Sequence, residues 1–121
     1  MKLVLDAEAL VVQLGLEGTV TFGGRIENAA IGELYADADL VLNPSTADNM
    51  PISILEAMAS GVPIITTDAG GIPDLVCEGE TALMVPVGDH LAMAAAALRV
   101  LRDPSLARRL RAAGIREAAG Y

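Results

Sequence analysis

The sequence predicts an α/β protein, with one parallel sheet of four to five strands and helices on both faces. Three observations carry that prediction. From Val20 onward, short apolar runs alternate with segments of helix length. The runs are apolar at consecutive positions, as strands are when both sheet faces are covered. Glycine, proline and aspartate punctuate them where helix ends and starts favour those residues.

Taken in order, Thr19-Val20-Thr21-Phe22 reads as a strand ending at Gly23-Gly24. Residues 30–38 read as a helix and Leu40-Val41-Leu42-Asn43 as the next strand. Residues 51–59 are helical, opened by Pro51 and stopped by Gly61 and Pro63. Ile64-Ile65-Thr66-Thr67 is a third strand, followed by a short helix after Gly70-Gly71. Ala82-Leu83-Met84-Val85 is a fourth. Asp89 caps a helix running to about residue 101, and Asp103-Pro104 opens the last one. The first residues allow two readings, a strand over 2–5 with a helix capped by Asp6, or one helix over 3–14. Either leaves the sheet short on that side, with an open edge of the kind that pairs with a second copy.

The chain has 121 residues, 53% of them apolar, which suits a single domain with a real core and excludes disorder. Cys77 is the only cysteine, so a disulfide scaffold is excluded. No apolar run approaches the ~20 residues of a bilayer span, and the start carries no signal-peptide pattern, so a cytoplasmic protein is expected. The formal net charge is −8, unevenly placed. Up to residue 98 there are two basic and fourteen acidic residues, a composition that argues against a nucleic-acid partner. Arg99, Arg102, Arg108, Arg109, Arg111 and Arg116 crowd the remainder. That tail has the charge to dock on an acidic or membrane surface, although a solvated helix face has the same composition.

Ligands of open α/β sheets bind beyond the carboxyl ends of the strands. Three segments lie there: Gly23-Gly24-Arg25, residues 43–52 and residues 66–73. In the second, a strand runs through Asp48-Asn49-Met50 into a helix with Pro51 at its first turn, and a helix start favours anions. Glu56 sits about a turn and a half inside that otherwise apolar helix, where it either pairs with ligand hydroxyls or occupies an exposed stripe. Gly70-Gly71 permits close backbone approach to a ligand, or simply a tight turn. His90 reads as a surface residue, Cys77 as a small core or boundary residue, and Met50, Met58 and Met93 as packing. There is no G-x-G-x-x-G or P-loop lysine to support a dehydrogenase or ATPase.

Several ordered segments together resemble a known family. They are Tyr35-Ala36-Asp37-Ala38-Asp39 with Asn43-Pro44-Ser45, the run from Asp48-Asn49-Met50-Pro51 through Glu56 to Gly61-Val62-Pro63, and Gly70-Gly71-Ile72-Pro73. Gly79, Val85-Pro86-Val87-Gly88-Asp89 and Leu101-Arg102-Asp103-Pro104 continue them. Over roughly residues 15–120 the chain resembles the Rossmann-like, C-terminal donor-binding domain of the retaining group 1 (family 4) GT-B glycosyltransferases, half of a GT-B fold. The resemblance implies a nucleotide-diphosphate sugar as donor substrate, with no metal or other cofactor. It implies that the family's E-x7-E acids fall on Asp48, beside the reacting centre of the sugar, and Glu56, on the ribose hydroxyls. The backbone of Asn49, Met50, Pro51 and Ile52 would then meet the sugar and distal phosphate, Arg25 and Ile26 would flank the base, and Gly70 and Gly71 would line the donor site.

The same resemblance marks what is expected elsewhere. The family's donor domain opens with a Gly-Arg turn and a lysine-bearing segment that neutralise the leaving diphosphate. Lys2 and Arg25 do not occupy that motif. An N-terminally incomplete single domain over 1–121 is therefore expected, lacking its acceptor-binding domain and inactive in isolation. The alternative is a non-catalytic, degenerate binding or assembly domain that keeps the sheet without the chemistry.

Overall fold

The structure, a computed structural model, describes residues 12–15, 18–20, 34–35, 37–44 and 52–120. Among them are three strands, β1 (Val41–Asn43), β2 (Ile64–Thr67) and β3 (Leu83–Val85), and four helices. The helices are α1 (Ile52–Ala59), α2 (Ile72–Leu75), α3 (His90–Arg102) and α4 (Pro104–Ala118). The strands pair in the order β1-β2-β3, all parallel, with Leu42 opposite Ile65 and Ile65 opposite Leu83. Three strands rather than four or five are thus described. Of the run 19–22, Thr19 lies in a turn and Val20 in irregular backbone, while Thr21 and Phe22 fall outside the described residues. Leu34, Tyr35 and Asp37 are helical, as expected of the segment before β1. The two readings of residues 2–14 also lie largely outside, although Val12 and Gln13 are helical.

Side-chain alternation along β2 divides the core in two. Ile64 joins Ile54, Ala57, Met58, Val62, Ile72 and Val76 on the α1 face. Ile65 joins Leu83, Val85, Val100, Leu106 and Leu110 on the face covered by α3 and α4. All four β2 residues are buried, Ile64 and Ile65 as apolar core and Thr66 and Thr67 as buried polar residues, as suits a central parallel strand. β1 departs from that pattern, since Leu42 keeps 48% of its surface exposed.

Local chemistry sets the helix ends. The Asp89 carboxylate accepts from the Ala92 amide at 2.9 Å, and that of Asp103 accepts from Leu106 at 3.1 Å. Asp103 also ends α3, so the two long helices meet at one residue. α1 closes with the Gly61 amide donating to the Met58 carbonyl at 3.1 Å and the Val62 amide to Ala57 at 3.3 Å, the Schellman pattern. Gly61 takes the φ of +74° that this ending needs. α4 then crosses onto α1, with Gly114 against Met58 and Ile115 against Gly61.

The β3 edge is partly closed. The outward Met84 amide donates to the Glu78 carboxylate, and the Gly79 amide donates to the Ala82 carbonyl at 2.8 Å. Cys77 is exposed rather than at the core boundary. Its amide and carbonyl are spent closing the turn to Thr81, and the neighbouring Val76 fills the core instead. Among the described residues, no helix is long and apolar enough to cross a membrane.

Two glycines separate conformational need from mere space. A Cβ on Gly61 would sit in the left-handed region and lie 3.2 Å from the Ile115 side chain. Gly61→Ala should therefore destabilise the fold by about 1–2 kcal/mol. A Cβ on Gly114 would meet Met58 at an ordinary 3.7 Å. Gly114→Ala should leave stability unchanged or raise it by up to about 1 kcal/mol, since alanine is the better helix former. Urea unfolding of both variants checks the pair, and a reversed order of midpoints would contradict the packing described.

Candidate functional site

Because the three strands are parallel, their carboxyl ends share one edge, and the connections to α1, α2 and α3 leave from it. Polar side chains lock that edge together. Asn43, the last residue of β1, donates from its side-chain amide to the buried Thr66 hydroxyl on β2 at 3.0 Å. The Thr66 hydroxyl in turn donates to the Thr67 carbonyl at 3.1 Å. The Asp68 amide donates to the Val85 carbonyl at 3.1 Å, and the Asp68 carboxylate accepts from the Val87 amide at 3.3 Å. A cleft of about 130 Å³ opens there between Pro44, Thr67, Pro86, Gly88, Asp89, His90 and Met93. A larger depression, about 500 Å³, lies against the turn that leads into β3, lined by Gly79, Glu80, Arg109 and Arg116, and so is remote from the carboxyl edge.

Gly70 and Gly71 stand at this edge, just beyond β2. Ala69 and Ile72 on either side are core residues, and the Ile72 amide donates to the Ala69 carbonyl at 3.0 Å. Gly70 at φ +49° and Gly71 at −84°, ψ 0°, fit a type II′ turn, which accounts for a glycine at the first central position. The turn leaves Gly70 exposed at the edge.

The start of α1, at Ile52, reaches the same edge. Glu56 follows one turn later, about 6 Å along the helix axis. It is half-buried, which matches neither a fully solvated stripe nor a core position. Its carbonyl accepts from both the amide and the hydroxyl of Ser60, at 3.0 and 2.9 Å. Its carboxylate acts on Tyr35, which packs against the α1 face of the core. Burial raises the Tyr35 phenol above its ordinary pKa, and the negative charge of Glu56 raises it further. Of the other expected site residues, Asp48, Asn49, Met50, Pro51, Arg25 and Ile26 lie outside the described residues. His90 is exposed, as expected, and it lines the edge cleft.

Two features escaped sequence reasoning. The Asn43–Thr66 pair is signalled only by polar residues ending two otherwise apolar strands. The closeness of Tyr35 to Glu56 needs the helices before and after β1 to lie side by side, which spacing does not give.

With that geometry in hand, the chain can be placed. It belongs to the family of glycosyl transferases group 1, whose sequence pattern matches residues 5–117. It is 41% identical over 101 residues to N-acetyl-alpha-D-glucosaminyl L-malate synthase of Bacillus anthracis, covering 84% of this chain and 26% of that protein. Sucrose-phosphate synthase from Thermosynechococcus elongatus superposes with a TM-score of 0.89 at 35% identity, over 94% of this chain and 29% of that one. HepE from Anabaena, solved in complex with UDP-glucose, gives 0.88 at 28% identity, over 97% of this chain and 32% of that one. The chain thus spans under a third of the length of these relatives, and its architecture is the Rossmann-like half of a GT-B fold.

The Tyr35 shift has a measurable consequence. A phenol that binds its proton more tightly when folded lends stability that is complete below its unfolded pKa of about 10. That stability is lost as the pH rises through the folded value. Alkaline absorbance titration should show one tyrosine ionising late, absent in Tyr35→Phe and moved back toward the ordinary value in Glu56→Gln. Coincident ionisation of Tyr35 and Tyr121 at the ordinary value would count against the pairing.

Proposed function

We propose that this chain is the donor-binding part of a retaining hexosyltransferase, taking a nucleoside-diphosphate sugar at the carboxyl edge of its sheet. The supporting observation is the arrival at one edge of the α1 start and the Gly70-Gly71 turn, with Glu56 one helical turn inside, in a chain of a sugar-transferring family. The UDP-glucose complex of HepE supplies a donor of the matching class from the same fold.

The roles are those the family resemblance implies, and the chemistry of the residues suits them. A helix start carries unpaired amides and the positive end of the macrodipole, which suits a diphosphate. In this reading the backbone of Asn49, Met50, Pro51 and Ile52 holds the distal phosphate and the sugar. Asp48 stands beside the reacting carbon, where a carboxylate favours positive charge developing on the ring. An ionised Glu56 has acceptor capacity for two ribose hydroxyls at once. Arg25 and Ile26 flank the base, and Gly70 and Gly71 present backbone without side-chain bulk. The reading calls for no metal: amide dipoles at the helix start carry part of the leaving charge, and the family's basic motif, which Lys2 and Arg25 do not occupy, carries the rest. The acceptor is held by a second domain, transfer takes place in the cytoplasm, and this chain alone does not turn over.

Calorimetry with uridine and guanosine diphosphate sugars tests the ribose assignment. Glu56→Ala should weaken binding about 10- to 150-fold, the loss of ~1.5–3 kcal/mol expected for hydrogen bonds to a charged group. A 2′,3′-dideoxy donor should lose that amount with the unaltered chain and nothing further with the variant. Equal dissociation constants for both proteins would remove Glu56 from the site.

A further inference from the structure

We infer that α3 is the contact face of a homodimer, in which a second copy of this chain packs its own α3 antiparallel across it, about a two-fold axis at Ala95. The inference is independent of the donor site.

The helix wheel supplies the first observation. Val100, Met93 and Ala96 of α3 face the core. Directly opposite them, Leu91, Leu98 and Arg102 follow at i, i+7 and i+11 and share one strip. Leu91 is 81% exposed and Leu98 46%. Beside that strip lies a depression of about 330 Å³, lined by β3 and by Ala92, Ala95 and Ala96, with Glu78 and Arg99 among its walls. One surface thus carries both a leucine ridge and a concave, alanine-lined seat. A two-fold axis lays each of them on the other, which is what a self-complementary contact needs.

Spacing then sets the register. With Ala95 facing its own counterpart, an antiparallel partner brings Leu98 opposite Ala92 and Leu91 opposite Arg99. Leu98 of each copy enters the seat of the other, and Leu91 lies along the apolar stem of the arginine. Ala95 is exposed and has only a methyl group, so it lets the two backbones approach closely.

Charge favours the same register. The chain carries −8, so two copies repel unless the contact sets unlike charges together. α3 ends in Arg99 and Arg102 and starts after Asp89, and all three are exposed. Asp68 is held at the starting end through the Val87 amide. Antiparallel packing puts Arg102 of one copy opposite Gly88 of the other, close to these two acids, and opposes the helix dipoles. A parallel pair would stack arginine on arginine. Among the described residues neither Arg99 nor Arg102 is held in an ion pair within the chain, so both are available. An extended strand fits the adjoining edge less well, because the Glu78 carboxylate already takes the outward Met84 amide.

A contact made by one helix and its flank falls at the small end of interface sizes, under about 1,200 Å² in total, so the dimer should be weak. Sedimentation velocity of the full chain over a concentration series should show a monomer–dimer equilibrium. Leu91→Ser and Leu98→Asp, each with its fold checked by circular dichroism, should raise the dissociation constant about tenfold or more. Arg102→Glu should raise it about fivefold. Cys77 is the only cysteine and is exposed, so cross-linking is read in a Cys77→Ser background. There Ala95→Cys should form a disulfide-linked dimer under mild oxidation, because a residue on the axis meets itself. Leu101→Cys, on the flank away from the seat, should stay monomeric. A monomer at every concentration, or a dimer indifferent to both leucine variants, would overturn the assignment. Cross-linking through Leu101→Cys in preference to Ala95→Cys would do the same, in favour of another face.

Discussion

Parallel pairing of β1, β2 and β3 is the constraint on which the rest depends. Strands that run the same way must send every outgoing loop over one edge and bring every chain return to the other. The Asn43–Thr66 and Asp68–Val87 hydrogen bonds then hold the three strand ends in fixed relation, and the loops above them inherit that relation. Glu56 depends on it too. It lies one turn inside α1, and the start of α1 faces the same edge as the end of β1.

The two halves of the core divide the work. On one face, α1 is clamped between β2 and α4, with Met58 pressed against Gly114 and the Schellman ending of the helix packed under Ile115. On the other, α3 and the first half of α4 cover Ile65 and Leu83. Ile64 and Ile65, adjacent in sequence, serve opposite faces, so the central strand transmits any shift of one layer to the other. The helix that carries the candidate acid is therefore backed by packing on both sides of its rear surface.

Legibility from sequence followed the range of the interaction. Asp89, Asp103 and Gly61 announced helix ends correctly because capping and left-handed endings involve residues three or four positions apart. The central strand was equally readable, since burial on both faces leaves no room for a polar residue at Ile64 or Ile65. Cys77 was misplaced because its backbone, rather than its side chain, decides its position, through a turn closed by Thr81. Glu56 could be counted into a helix but not oriented about it. Whether its carboxylate meets water or Tyr35 depends on a neighbouring helix twenty-one positions earlier, and helical periodicity carries no information at that distance. The resemblance to group 1 transferases was legible through ordered motifs, which the family match over residues 5–117 bears out.

The carboxylate of Glu78 occupies the one outward amide of β3, and that small arrangement bears on how the molecule behaves in a crowd. A strand arriving from another chain finds its first hydrogen-bonding position already taken by a charged group. An incoming strand would have to displace that charged group before it could pair there, which is how edge acids discourage edge-to-edge pairing.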